Sequence, residues 1–261
     1  MTRTDARWLL WIGLILLLGP AASLEGQSDA VLDPGKAAQA KSQEEFDKYL
    51  EIVVAADPHQ VIGKVDAFVS EFPQSELLSA AYQYKMHACE RLNDFDGMLA
   101  AGRKASLGNP DSVNILLALA PAMASRAAGR ADRDQLLSQA EADAHLALEK
   151  LEATRLSRKV SVEEWTAQKH QMQSEAHGAL GLVALQKKEN EIAVREFSAA
   201  ISLDPRPLGI QFLRLGMAFN ALAAPDDAAK NFRRAAELGP EPVRNLALEE
   251  LKGLSGKNVQ R

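Results

Sequence analysis

Cysteine is nearly absent from this chain of 261 residues: Cys89 is the only one. A single thiol closes no intramolecular disulfide and completes neither a zinc site nor a CxxC motif. It is read as a small buried hydrophobe. Aromatics are only 5% of residues. Runs of β-branched residues bounded by turns are scarce, so the signature of strands is missing. Positive charge is in short supply as well. The formal net charge is −5, and it becomes −6 without the first 23 residues, which carry Arg3, Asp5 and Arg7. A chain with no basic stripe is a poor ligand for a phosphate backbone. Its basic clusters, Arg155 to Lys159 and Arg233-Arg234, read as solvated helix ends.

Hydrophobic residues make up 47% of the chain. Alanine and leucine, the strongest helix formers, dominate that fraction. The body therefore reads as all-α and long enough for a real core.

Residues 1–23 have the pattern of an export signal. Arg3 and Arg7 precede the uncharged run Trp8 to Leu18, Gly19-Pro20 breaks it, and Ala21-Ala22-Ser23 supplies small residues for cleavage after Ser23. Eleven apolar residues fall short of the roughly 20 that a membrane span needs. The alternative is an uncleaved N-terminal anchor. Residues 24–41 are polar and small and read as a disordered linker. A body exported without disulfides takes its stability from packing alone.

Helical patterning starts at Ser42. Ser42-x-x-Glu45 fits a capping box, and Phe46, Tyr49, Leu50 and Val53 follow at helical spacing. Asp57-Pro58 ends one helix and opens the next, which carries Val61, Val65, Phe68 and Phe72. Ser75 is placed to cap a third helix with Leu78, Tyr82, Met86 and Cys89. A fourth begins at Phe95 and ends at Gly108-Asn109-Pro110. Val113 to Ala124 is apolar nearly all round and should be buried on several sides, with Pro121 placed to kink or end it. Ala140, Ala144 and Ala147 mark a close-packed helix to Leu151. Residues 152–160 connect to a second capping-box candidate, Ser161-x-x-Glu164. It opens a long helix with no breaker before Gly178, a lead-in that could protrude.

The most regular stretch is a duplication. Leu180, Gly181, Ala184, Ala193, Phe197, Ala200 and Pro205 reappear as Leu215, Gly216, Phe219, Ala228, Phe232, Ala235 and Pro240, every pair offset by 35. Small residues recur where helices approach, large ones where they fill, and proline where a helix stops. After Pro240, Val243, Leu246, Ala247 and Leu251 form one face of a last helix with a polar back, suited to end a stack.

This spacing resembles the tetratricopeptide repeat (TPR), helix pairs recurring about every 34 residues. Residues 174–242 match in two units and residues 79–112 in part, with Met98 and Gly102 out of pattern. Residues 42–75 match weakly, and 113–151 only in the second half. The resemblance implies an all-α, right-handed helix-turn-helix repeat solenoid of four to five helix pairs with a C-terminal capping helix. Degenerate repeats fill 42–151, a connection and lead-in 152–173, the matched repeats 174–242, and the cap and tail 243–261. Phe72-Pro73-Gln74-Ser75 also resembles envelope TPR proteins of the outer-membrane-assembly type.

TPR proteins typically bind a protein or peptide on the concave face made by the first helix of each pair. The residues expected there are Gln83, His87, Glu90 and Arg91 in the front unit. In the matched repeats they are Glu175, Leu182 and Gln186, then Ile210, Leu213, Met217 and Asn220. The face would be mixed in charge at one end and apolar at the other, unless Ile210, Leu213 and Met217 pack against the last helix or another repeat. Of these positions only Asn220 has the character of a carboxylate-holding TPR, which disfavours that mode.

Signs of catalysis are few. His170 and His177 could share a helix face but have no HExxH context, and no GxSxG, GxxxxGK[ST] or GxGxxG motif occurs. Glu141 with Asp143, and Glu163 with Glu164, read as solvent-facing carboxylates. The expectation is a non-enzymatic scaffold outside the cytoplasm, with no cofactor, metal, nucleic acid or small-molecule substrate. The alternative is a membrane-proximal accessory subunit of an envelope enzyme or of a secretion or assembly machine.

Overall fold

The computed structural model describes residues 38–154 and 161–258. The export signal, most of the linker, the cluster Arg155 to Lys159 and the last three residues lie outside them. Among the described residues there are eleven helices and no strand. They are α1 (Gln43–Val53), α2 (Pro58–Glu71), α3 (Leu78–Arg91), α4 (Phe95–Gly108), α5 (Val113–Arg126), α6 (Arg133–Ala153), α7 (Val162–Lys187), α8 (Asn190–Leu203), α9 (Gly209–Ala221), α10 (Pro225–Leu238) and α11 (Glu241–Asn258). Successive helices pack as five antiparallel pairs, and α11 closes the end against α10 and α9. The architecture is an all-α helical-repeat solenoid.

Local chemistry sets the helix ends. Asp57 and Asp94 cap α2 and α4 by accepting from Gln60 N–H and Gly97 N–H. Pro58 and Pro225 occupy first-turn positions, where no N–H is missed. The box at Ser161 forms in full: its hydroxyl accepts from Glu164 N–H, and the Glu164 carboxylate accepts from Ser161 N–H at 3.2 Å. The box at Ser42 forms by half. Its hydroxyl accepts from Glu45 N–H at 3.1 Å, but the Glu45 carboxylate turns to Lys41 N–H at 2.6 Å. Ser75 does not cap α3 but accepts from Leu77 N–H, just before the helix.

Three inter-helix turns share one geometry. Asn93, Lys188 and Ala223 all take left-handed backbone, with φ of 59, 65 and 55°. In each the next N–H bonds back across the turn: Asp94 to Cys89, Glu189 to Ala184 and Ala224 to Phe219. This is the Schellman closure of a helix end. It places the unit at 79–112 in the same register as the two matched repeats. Size is distributed differently there. Met86 is fully buried where Gly181 and Gly216 stand in the other two, and Gly102 replaces the phenylalanine and admits Leu119 of α5.

The middle is irregular for a visible reason. α5 is buried on several sides, as its all-round apolar sequence requires, and it packs on both α6 and α7. Pro121 does not end it. Val113, Leu116 and Leu117 of α5 form one cluster with Ala147 and Leu151 of α6 and Ala176 of α7. α7 runs unbroken for 26 residues, about 39 Å at 1.5 Å per residue. Its lead-in is held to α6 by Lys169 and Gln173, which both reach Glu152, at 2.9 and 2.6 Å.

Candidate partner-binding face

The residues expected on an inner face lie on α3, α7 and α9, and their burial shows which of them are open. On α9, Ile210, Leu213 and Met217 are buried, Leu213 to 1% exposure. They form one core cluster with Val243, Leu246, Ala247 and Leu254 of α11. The apolar end of the expected face is therefore interior, in a cluster that α9 shares with α11 and with Ala228, Phe232 and Ala235 of α10. Leu182 is also buried, against Leu215 and Ala218 in the central core. Asn220, Gln83 and Gln186 are half-buried, and the carbonyl of Gln186 accepts from the Arg133 guanidinium.

The polar positions of the front unit stay open. His87, Glu90 and Arg91 are exposed, with His87 Nδ1 3.3 Å from Glu90 Oε2. His170 is exposed, whereas His177 Nδ1 lies 2.7 Å from Glu196 Oε2 and ties α7 to α8. Of the carboxylates expected to face solvent, Asp143 does not. It is 8% exposed, accepts from Gln139 at 2.7 Å, and burial pushes its carboxyl up. Glu141 pairs with Lys187 at 2.6 Å. Cys89 is a free, buried thiol, raised by desolvation.

Glu175 is the most perturbed of the expected inner residues. Desolvation pushes its carboxyl up to about 7 against the weaker pull of Gln171, with Asp204 adding repulsion. The side chain itself is exposed to water. Water on the open side moderates what the protein around the carboxyl imposes, and the upward direction is what matters. Arg214, one turn beyond Gln211, is a residue that sequence reasoning passes over. Its Nε is buried without a hydrogen-bond partner among the described residues, and desolvation lowers its pKa to about 10. An arginine on an amphipathic helix is ordinarily solvated, so its type gives no signal.

Exposed apolar side chains are scattered along the chain, Leu107, Val162, Leu208 and Leu238 among them, but the first unit carries several at helical spacing. Phe46, Leu50, Val53 and Val54 of the first unit are 44, 39, 39 and 77% exposed. Spaced i, i+4, i+7 and i+8, they form one stripe. Val61, Val65, Phe68 and Pro73 precede Ala228, Phe232, Ala235 and Pro240 by a constant 167 positions. The same shift sets Phe46 on Leu213 and Leu50 on Met217. It also sets Tyr49 on Gly216, where the regular repeat needs no side chain. The Tyr49 ring packs against Phe68 (centroids 6.0 Å) and edge-on against Tyr84 (6.2 Å), so aromatic bulk stands in that gap. Tyr84, 36% exposed, carries the apolar surface onto α3.

No family model matches the sequence, and comparison with curated protein sequences gives no match. Solved structures do match. PilW, a widely conserved type IV pilus biogenesis factor, aligns over 84% of this chain and 92% of its own, at 16% identity and a TM-score of 0.55. A thermophilic TPR protein of Thermus thermophilus aligns over 80% of this chain and 98% of its own, at 15% identity and a TM-score of 0.52. The chain has the tetratricopeptide-repeat fold.

Proposed function

We propose that this chain is a non-enzymatic scaffold that holds a protein partner on the inner face of its first two units, outside the cytoplasm. The observation that carries the reading is the apolar stripe Phe46-Leu50-Val53, exposed among the described residues, extended by Tyr84 and bordered by the open polar positions His87, Glu90 and Arg91. A soluble repeat array needs polar faces at its ends. Apolar surface left exposed at one end marks an interaction site. The likeness in fold to PilW and the signal-like start, Arg3 to Ser23, support a place in the cell envelope.

Photo-crosslinking from position 50 in cells tests the binding face, with exposed Leu107 of α4 as the control position. Capture of a specific protein from position 50 and not from 107 supports the reading. Equal or no capture from both rejects it. N-terminal sequencing tests the location: envelope material should begin near Leu24, and a full-length chain confined to the cytoplasm rejects export. Full-length chain held in the membrane would select the accessory-subunit reading instead.

A further inference from the structure

Arg214 is a cation that the chain surrounds without neutralising. On α9 its neighbours before and behind are Ile210, Leu213, Met217 and Ala218, and all four are buried. Its Nε is shut off from water, and among the described residues the side chain makes no hydrogen bond and no ion pair. Two other arginines of the same unit are engaged. Arg234 stacks on Phe212, 5.5 Å from the ring centroid, and pairs with Glu237 at 2.9 Å. Arg244 donates to the carbonyls of Ala236 and Gly239. The polar network one turn earlier on α9 leaves Arg214 out. Gln211 donates to Ser174 of α7 and to the Asp204 carboxylate, both at 3.2 Å, and Asp204 also accepts from Arg206 N–H at 2.9 Å. Neither Asp204 nor Glu175, which feels its charge, pairs with Arg214. A guanidinium taken from water without a counter-ion is strongly disfavoured, and desolvation alone lowers its pKa to about 10. The residue is only half-buried, so its two terminal nitrogens, equally unpartnered, keep access to solutes.

We propose that Arg214 binds a small free oxyanion, which docks on the terminal nitrogens of the guanidinium and neutralises it. The fork of N–H groups matches two oxygens of such an ion. The apolar residues around the stem strengthen the attraction. Burial of Ile210, Leu213 and Met217 selects a small ion over a peptide. They share a core with Val243, Leu246 and Ala247 of α11, so beside the cation α9 has no apolar surface left for a peptide to cover. The site is separate from the stripe on α1, and the proposal does not depend on the scaffold reading. Stability in a repeat array is a sum of local interfaces. The ion should therefore tighten the last unit, α9 to α11, and leave the first unchanged.

The test uses the purified full chain in a phosphate-free buffer. Chloride is exchanged for inorganic phosphate at constant ionic strength, in the low-millimolar range where salts have little general effect on stability. Phosphate should raise the melting temperature with the logarithm of its concentration once the site fills. It should slow amide exchange in α9 and α11 and not in α1 and α2. Arg214→Gln, with Arg214→Met as a second neutral variant, should fold and bind phosphate about tenfold more weakly or worse. Arg214→Lys keeps the charge but loses the fork, and should bind less tightly than the parent. No response of the parent to phosphate would overturn the proposal. So would an equal response in both neutral variants, or slowed exchange spread along the whole array, which would mark an adventitious ion only. Binding of an acidic peptide or of phosphatidylglycerol vesicles through Arg214, with no response to free phosphate, would overturn it as well.

Discussion

Gly216 meets the ring of Phe232 so closely that a Cβ on the glycine would stand 2.6 Å from Cδ1 and Cε1. One repeat earlier, a Cβ on Gly181 would stand 2.5 Å from Cδ1 of Phe197. Both rings are buried at the centre of their helix pairs and have nowhere to move. Gly181→Ala and Gly216→Ala should each destabilise the fold by about 1–3 kcal/mol through overpacking. Gly178, on the same helix as Gly181, has nothing within 4 Å of its Cβ direction. Gly178→Ala should therefore stabilise α7 by up to about 1 kcal/mol, the helix preference of alanine over glycine. Urea unfolding of the three variants checks the signs. An equal loss from Gly178→Ala would show that the open space is needed.

Leu213 and Leu50 provide the second contrast. Leu213 is 1% exposed beneath α11, and Leu50 is 39% exposed on α1. Leu213→Ala should cost about 2–5 kcal/mol, the range for deleting a fully buried leucine. Leu50→Ala should stay within about 0.5 kcal/mol. Thermal melts of the two variants decide which leucine is core. A melt lowered as much by Leu50→Ala as by Leu213→Ala would remove the basis for a free face on α1.

The contrast also shows how far the sequence can be read. The repeat offset of 35 locates both glycine–phenylalanine contacts, because helix approach needs a small residue opposite a ring and that need is local. Burial of Leu213 is not local. It depends on whether α11 lies along α9 or splays from it, and the same apolar pattern suits a partner's helix or the chain's own. The exposed stripe on α1 is visible as a helical spacing, and spacing alone does not separate it from core. Its exposure shows only when burial is known, whereas Tyr49, between the stripe residues in sequence, packs inward on the rings of Phe68 and Tyr84. Asp143 reads as solvent-facing for a similar reason: its alanine-rich helix is buried on more than one side, which spacing does not reveal.

Arg214 gives the third prediction. A buried donor without an acceptor costs about 1–3 kcal/mol, and the Nε of Arg214 is such a donor among the described residues. Arg214→Met keeps much of the volume and removes the unmet donor. The variant should melt at a higher temperature than the parent. A lower melting temperature would mean that the guanidinium meets an acceptor in solution.

Glu175 gives the fourth, through pH. Its carboxyl is raised from 4.5 to about 7 in the folded chain, chiefly by desolvation. Between those values the folded state keeps a proton that the unfolded state has released. Stability therefore falls as pH rises across that window, since the unfolded state binds fewer protons there. Above the folded value the full penalty is present, and below 4.5 it is gone. Glu175→Gln removes the titration, so the difference in melting temperature between the variant and the parent should be small near pH 4.5 and grow in the variant's favour towards about pH 8. The side chain is open to water, so the decisive reading is the sign of that trend and not its size. A difference that stays flat with pH would show that solvent holds Glu175 near its ordinary value. A difference that shrinks with rising pH would show that the carboxylate has an unrecognised cationic partner on the inner face.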